Sequence, residues 1–191
     1  MLPLTLLDMI MGEYTIETTR ALKNAGWTPG RRVNTVEIQR QLEASGFAVS
    51  QTAIHFLSEF LGLKVDVRGP GISCAREPFE FDPLLAAGED DRFEEWSATI
   101  GEVLTPIGQL DQRYFLGIAA SGEIYLVADW LASFGSEREA IESLVRGSTS
   151  EGGSLIVGDR SRAGVLHSGW WEYGCEWSIT VRSIHQSREN V

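Results

Sequence analysis

The stretch Ala25 to Arg31, AGWTPGR, decides the fold, because it opens a spaced series of segments that runs to Gly147. Within it Pro29 fixes φ and Gly30 can take φ > 0, so Trp27 is a rigid aromatic anchor leading into a turn. Three further segments follow in order: FLSEFLGLKV from Phe56 to Val65, IGEVLTPIGQ from Ile100 to Gln109, and GIAASGEIYLVADW from Gly117, with the helix behind it ending at Gly147.

The residues between these landmarks supply the elements. Asn34 with Glu37 three places on reads as a capping box opening a helix to about Ala44, which Gly46 ends. Ser50 opens a second helix, in which Ala53, Ile54, Phe56, Leu57, Phe60 and Leu61 recur at the spacing of one buried face before Gly62 stops it. The two together predict an α-hairpin forming one wall of a core. Leu63, Val65 and Val67 alternate with Lys64, Asp66 and Arg68, a half-buried strand closed by Gly69-Pro70-Gly71. Strand spacing returns at Phe79 and Phe81, and Phe93, Trp96 and Ile100 sit at helical spacing. Tyr114 to Ile118 and Glu123 to Ala128 form a hairpin across Ala-Ser-Gly. Ser136 and Glu139 make a second capping box for a helix that buries Ala140, Ile141, Leu144 and Val145. This order predicts an α+β domain with helices packed on a mostly antiparallel β-sheet.

Residues 148–153, STSEGG, read as a linker. Beyond it Trp171, Tyr173, Cys175, Trp177, Ile179 and Val181 alternate with Glu172, Gly174, Glu176, Ser178, Thr180 and Arg182, a strand with one apolar face. It reads as an edge strand added to the sheet, as a dimerising or partner-binding edge, or as a poorly ordered tail whose exposed aromatics would invite aggregation. The organisation expected is an N-terminal extension at 1–17, a domain at 18–147, and a β-rich C-terminal extension at 148–191. MLPLTLLDMIM lacks a basic n-region and carries Asp8 within its apolar run, which fits neither a signal peptide nor a membrane span, and Met9 or Met11 could serve as a later start.

The spaced segments resemble the SUKH-3 immunity proteins, of the superfamily that includes yeast cell-wall regulators and the immunity proteins of bacterial polymorphic toxin systems. The likeness covers about residues 18 to 147. Leu61 departs from it, standing where the family has the first glycine of a Phe-Gly-Gly-Leu turn. The resemblance implies a SUKH-like α+β domain. It places Gly26, Trp27, Gly62, Gly101, Pro106, Gly108, Gly122 and Tyr125 at motif positions whose physical reading is turns, caps and core anchors, as it is for Pro29, Gly30, Phe56 and Phe60. It also implies a protein that neutralises a cognate toxin, with a regulatory scaffold or adaptor binding a cellular protein as the alternative.

Charge bounds the partners. The 191-residue chain has a formal net charge of -11 and a pI near 4.7, which disfavours nucleic acid and anionic membrane and suits a basic, nuclease-like protein toxin. From Glu77 to Glu95 eight acids (Glu77, Glu80, Asp82, Glu89, Asp90, Asp91, Glu94 and Glu95) face one base, Arg92. They read either as a solvated loop and helix start or as a partner-facing patch. Trp130, beside Asp129 at a strand end, is the other candidate contact. Cys74 and Cys175 read as a reduced cytoplasmic pair. The oligomeric state is not legible.

No catalytic fingerprint appears, and neither a cofactor nor a metal is expected. Gly153 to Arg160 has phosphate-loop glycine spacing but places Asp159 where the loop needs lysine, and a carboxylate there repels phosphate. His55, His167 and His185 stand outside zinc-ligand spacing, and His55, on the apolar helix, reads as a satisfied, partly buried histidine. GxSxG is missing, and the acid pairs are unremarkable in an acidic chain. Trp27 and Trp96 read as core.

Overall fold

The computed structural model of the chain describes residues 14–148 and 155–157. Helices α1 (Ile16–Asn24), α2 (Val36–Ala44) and α3 (Gln51–Phe60) come first, followed by the short strands β1 (Lys64–Val65), β2 (Gly69–Pro70), β3 (Ala75–Arg76) and β4 (Phe79–Glu80). A 3₁₀ turn (Pro83–Ala86) and helix α4 (Asp90–Ile100) precede the meander β5 (Leu104–Leu110), β6 (Tyr114–Ala119), β7 (Glu123–Val127) and β8 (Trp130–Ser136). Helix α5 (Glu137–Arg146) and strand β9 (Leu155–Val157) complete the described chain.

AGWTPGR ends α1. Gly26, at φ 98°, donates its N–H to Lys23 O at 3.0 Å, and the Trp27 N–H reaches Leu22 O at 2.9 Å. A left-handed glycine permits this pair of bonds, which turns the chain back on its last helical turn and satisfies carbonyls the helix leaves open. Leu22 and Trp27 belong to one buried cluster. Arg31 N–H then closes on Thr28 O at 3.0 Å with Gly30 at φ 75°, the turn that a Pro-Gly pair favours.

Helix α2 ends the same way, with Gly46 at φ 91° and the Phe47 N–H on Leu42 O at 3.1 Å. Its start differs from expectation. Thr35 is the N-cap, Asn34 Oδ1 accepts the Val36 N–H at 2.9 Å, and Glu37 turns to Arg40 and Gln41, both at 2.6 Å. A guanidinium one turn along competes successfully for that carboxylate and holds Glu37 down at about 2.

Ser50 caps α3 as expected, accepting the Ala53 N–H at 3.1 Å. Ala53, Phe56, Leu57 and Phe60 are buried, and the Phe56 ring lies 4.8 Å from Phe60 and 5.1 Å from Phe81. Leu61 is extended at φ -50°, and Gly62 alone takes the left-handed turn at φ 80°, so the single glycine suffices. The expected α-hairpin does not form as one wall. Helix α2 packs chiefly on the 3₁₀ turn and α3 on β5 and β6, and their buried residues fall into different cores.

The main sheet runs β1-β4-β5-β6-β7-β8-β9 with every neighbour antiparallel, while β2 and β3 form a separate ribbon. The strand expected over residues 63–68 is confined to Lys64–Val65, and Gly69–Pro70, expected to close it, pairs with Ala75–Arg76 in the separate ribbon. Strand β5 carries Pro106 and Gly108 on either side of a register shift. Alternation then sorts the meander. Leu116, Ile118, Ile124, Leu126, Ala132 and Phe134 join the cluster of α1, α3 and α5, whereas Ala119, Tyr125, Val127 and Leu131 join that of Phe47, Phe93 and Trp96. Both faces are thus covered, each large side chain contributing roughly 1.5–3 kcal/mol of burial.

Strand β9 sits at the far edge, Trp130 opposite Val157 and Ala132 opposite Leu155. It occupies the stretch tested above as a phosphate loop. The alternating run from Trp171 to Val181, Cys175, His167, His185 and residues 1–13 lie outside the described residues.

Candidate partner-binding surface

Helix α4 is built with one face for the core and one for solvent. Phe93 and Trp96 are buried, Phe93 edge-on to Phe47 at 5.6 Å, and the Trp96 indole N–H donates to Ala128 O at 3.1 Å. Ser97 Oγ accepts the Leu104 N–H at 2.9 Å, tying the end of the helix to the start of β5. Arg92 donates to Glu89 at 2.7 Å and to Asp129 at 3.2 Å, fastening the first turn to the loop between β7 and β8. With four attachments, whatever the outer face carries is held in a fixed position.

The fold divides the eight acids. Glu80 faces Lys64 directly across β1 and β4 and binds it at 2.5 Å, a bond that raises the lysine's pKa. Asp82 accepts the Leu84 N–H at 3.0 Å and caps the 3₁₀ turn. Glu89 is taken by Arg92, and Asp90 lies against the Gly46 turn, where a Cβ on that glycine would meet Asp90 Oδ2 at 3.0 Å. Glu77 is half-buried ahead of β4. Asp91, Glu94 and Glu95 are exposed on the outer face of α4, at spacings that place them on adjoining turns. Acids in the first turn also suit the helix dipole.

Trp130 is 7 % exposed and its ring lies 5.7 Å from that of Tyr114, tilted by 49°, so the side chain is largely core. Its neighbour Asp129 carries the exposure, 63 %. Asp129 is not among the residues singled out from the sequence, because only the turn between β7 and β8 brings it to Arg92 of α4.

A second concentration of charge surrounds the AGWTPGR turn. Trp27 Nε1–H donates to Glu59 Oε1 at 2.9 Å, Arg32 reaches Glu59 Oε2 at 3.1 Å, and Arg31 donates to the carbonyls of Glu59 and Leu61, the latter at 2.8 Å. Burial, then Glu59, raises the Glu137 carboxyl, and burial with Glu137, Glu59 and Glu142 nearby pushes the Tyr14 phenol up. These contacts join α1, α3 and α5 to one another and read as structural.

Gly26, Gly30, Gly62, Gly101 and Gly122 all have positive φ. Trp27, Phe56, Phe60, Pro106, Gly108 and Tyr125 are buried. Trp96 is core at 5 % exposure. His55 is exposed rather than partly buried, since the apolar stripe of α3 passes to its side. Cys74 is half-buried between β2 and β3, and Cys175, the other member of the expected reduced pair, lies outside the described residues. Among the described residues no group of three His, Cys, Asp or Glu is placed to hold a metal ion, and no helix is long and apolar enough to cross a membrane.

The class these features define is an α+β sheet domain, covered on both faces, that displays fixed carboxylates on one helix. The chain belongs to the SUKH-3 immunity protein family, whose model matches residues 14–147. The match begins at Tyr14, whose ring meets Trp27 edge-on at 6.1 Å. No curated protein and no solved structure matches the chain.

Proposed function

We propose that the chain is a cytoplasmic immunity protein of a bacterial polymorphic toxin system, which neutralises one cognate, nucleic-acid-directed toxin by stoichiometric binding and without catalysis. Family membership supports the immunity role. The observation that carries the mechanism is the outward row of Asp91, Glu94 and Glu95 on a helix fastened at both ends. A toxin that handles nucleic acid must hold phosphates and so presents Arg and Lys. Carboxylates on a rigid helix attract such a surface over a distance and then occlude it.

The test is co-expression with the toxin domain encoded immediately upstream. Growth restored in step with a 1:1 complex on size exclusion is the expected result. Killing that proceeds undiminished, with the two proteins eluting separately, overturns the reading.

A further inference from the structure

The sheet sorts the charge of the helices that cover it. Residues 36–50 and 82–103, which supply α2, the 3₁₀ turn and α4, carry nine acids and two bases, a net of -7. Residues 16–35, 51–60 and 137–146, which supply α1, α3 and α5, carry five acids and six bases, a net of +1. The first set buries Leu42, Ala86, Phe93 and Trp96 in one core, and the second buries Leu22, Phe56 and Ile141 in the other. Because successive side chains of the meander point to opposite faces, these two cores lie on opposite sides of the sheet. The negative excess of the helical layers therefore stands on one side.

That side is continuous. Phe47, which follows α2, meets Phe93 of α4 edge-on at 5.6 Å, the Gly46 turn lies against Asp90, and α2 packs chiefly on the 3₁₀ turn. Two large apolar side chains stand out of it. Val36 opens α2 at 71 % exposure, its N–H held on Asn34 Oδ1 at 2.9 Å. Leu85 lies in the 3₁₀ turn at 38 % exposure, its N–H on Asp82 O at 3.3 Å.

We infer that α2 and the 3₁₀ turn join α4 in the interface, with Val36 and Leu85 as its apolar contact, a face fitted to a basic protein that carries an apolar patch among its Arg and Lys residues. The inference rests on the toxin-binding reading above. Charge gathered on one side of the molecule orients the encounter as well as hastening it. Carboxylates in water hold a bound partner weakly, because exposed ion pairs contribute little. Apolar side chains fixed by a helix start and a capped turn lose little freedom on contact, and covering them removes apolar area from water. The acids of this face thus act on association, and its two apolar residues act on dissociation.

Stopped-flow measurement with the purified cognate toxin domain separates the two sides. Val36→Ser and the double variant Val36→Ser/Leu85→Ser leave the charge unchanged. Ile16→Ser/Ile72→Ser is the control, since Ile16 of α1 and Ile72, whose N–H is bound by Arg146 O of α5, are 61 % and 62 % exposed on the other side. The double variant is expected to dissociate about tenfold faster, Val36→Ser to fall between it and wild type, and the control to match wild type, with association equal in all four proteins. Dissociation unaltered in both Val36 variants, or quickened only in the control, overturns the inference and leaves the toxin-binding reading standing. A wild-type protein that does not bind the toxin removes both.

Discussion

The indole N–H of Trp27 donates to Glu59 Oε1 at 2.9 Å, joining residues 32 apart and seating the turn after α1 on the last turn of α3. Arg31 completes the junction by donating to the carbonyls of Glu59 and Leu61, groups that a helix C-terminus leaves without partners and that favour a cation. One seven-residue stretch thus ends one helix and caps another.

Trp27→Ala is expected to cost about 3–5 kcal/mol, the value for deleting a large buried ring, since Trp27 is 6 % exposed within the main core. Arg31→Ala is expected to cost less, about 1.5–3 kcal/mol for charge-assisted bonds. Urea melts of the two variants check both figures, and a loss under about 1 kcal/mol for Trp27→Ala would show that the junction does not hold the domain together.

How much of this was legible depended on whether the deciding contact was local. The Ser136–Glu139 box, the Ser50 cap and the stripe on α3 are settled within one or two turns of helix, and residue types alone reveal them. The Asn34 box failed because Arg40 and Gln41 took Glu37, a competition the motif does not encode. Strand β5 was hidden by Pro106 and Gly108, which argue against a strand until β4 is seen packed beside them. Strand β9 was hidden by its glycine-rich flanks. The acidic run was visible as charge, but its division into tied and exposed carboxylates is tertiary, as is the neighbourhood of Asp129.

Gly108 shows that such a position is set by close approach. A Cβ there would lie 2.1 Å from Glu80 O and 2.9 Å from Phe81 Cα, whereas Gly101 has open space around it and is constrained by φ 78° alone. Gly108→Ala must therefore push β4 off β5, costing about 1–3 kcal/mol or more. Gly101→Ala pays only for its left-handed backbone, about 1–2 kcal/mol. Thermal melts should rank Gly108→Ala the less stable, and the reverse order would mean that β4 yields easily.

The Ser136 cap makes a prediction about pH. Glu139 accepts the Ser136 N–H and Oγ–H, both at 2.8 Å, and these bonds lower its pKa below 4.5. Because the folded value lies below the unfolded one, the contribution is present above the unfolded pKa and is lost as pH falls through the folded one. Glu139→Ala should lower the melting temperature at pH 7, and its gap from wild type should close as the pH falls below the ordinary glutamate range. A gap that persists at low pH would assign the effect to helix propensity.

A chain ending at Gly147 keeps both cores but removes the strand that pairs with Trp130, Leu131 and Ala132. Uncovered edge strands template association. The truncated protein is expected to melt cooperatively, at a lower temperature than one ending at Gly158, and to aggregate as its concentration rises. Matching melts and sedimentation for the two lengths would make β9 dispensable and set the domain limit at Gly147.

The last prediction concerns the acidic helix. Replacing Asp91, Glu94 and Glu95 with Ser leaves the Arg92–Asp129 and Trp96–Ala128 attachments of α4 in place and removes only outward charge. Attraction between opposite charges acts on the encounter and is screened over about 8 Å at physiological ionic strength. The triple variant should therefore associate with a basic toxin several-fold more slowly at low salt, converge with wild type at high salt, and dissociate at an unchanged rate. Far-ultraviolet circular dichroism would show α4 intact. Association that is equally fast and equally salt-dependent in both proteins would move the steering charge away from α4, to carboxylates elsewhere on the surface.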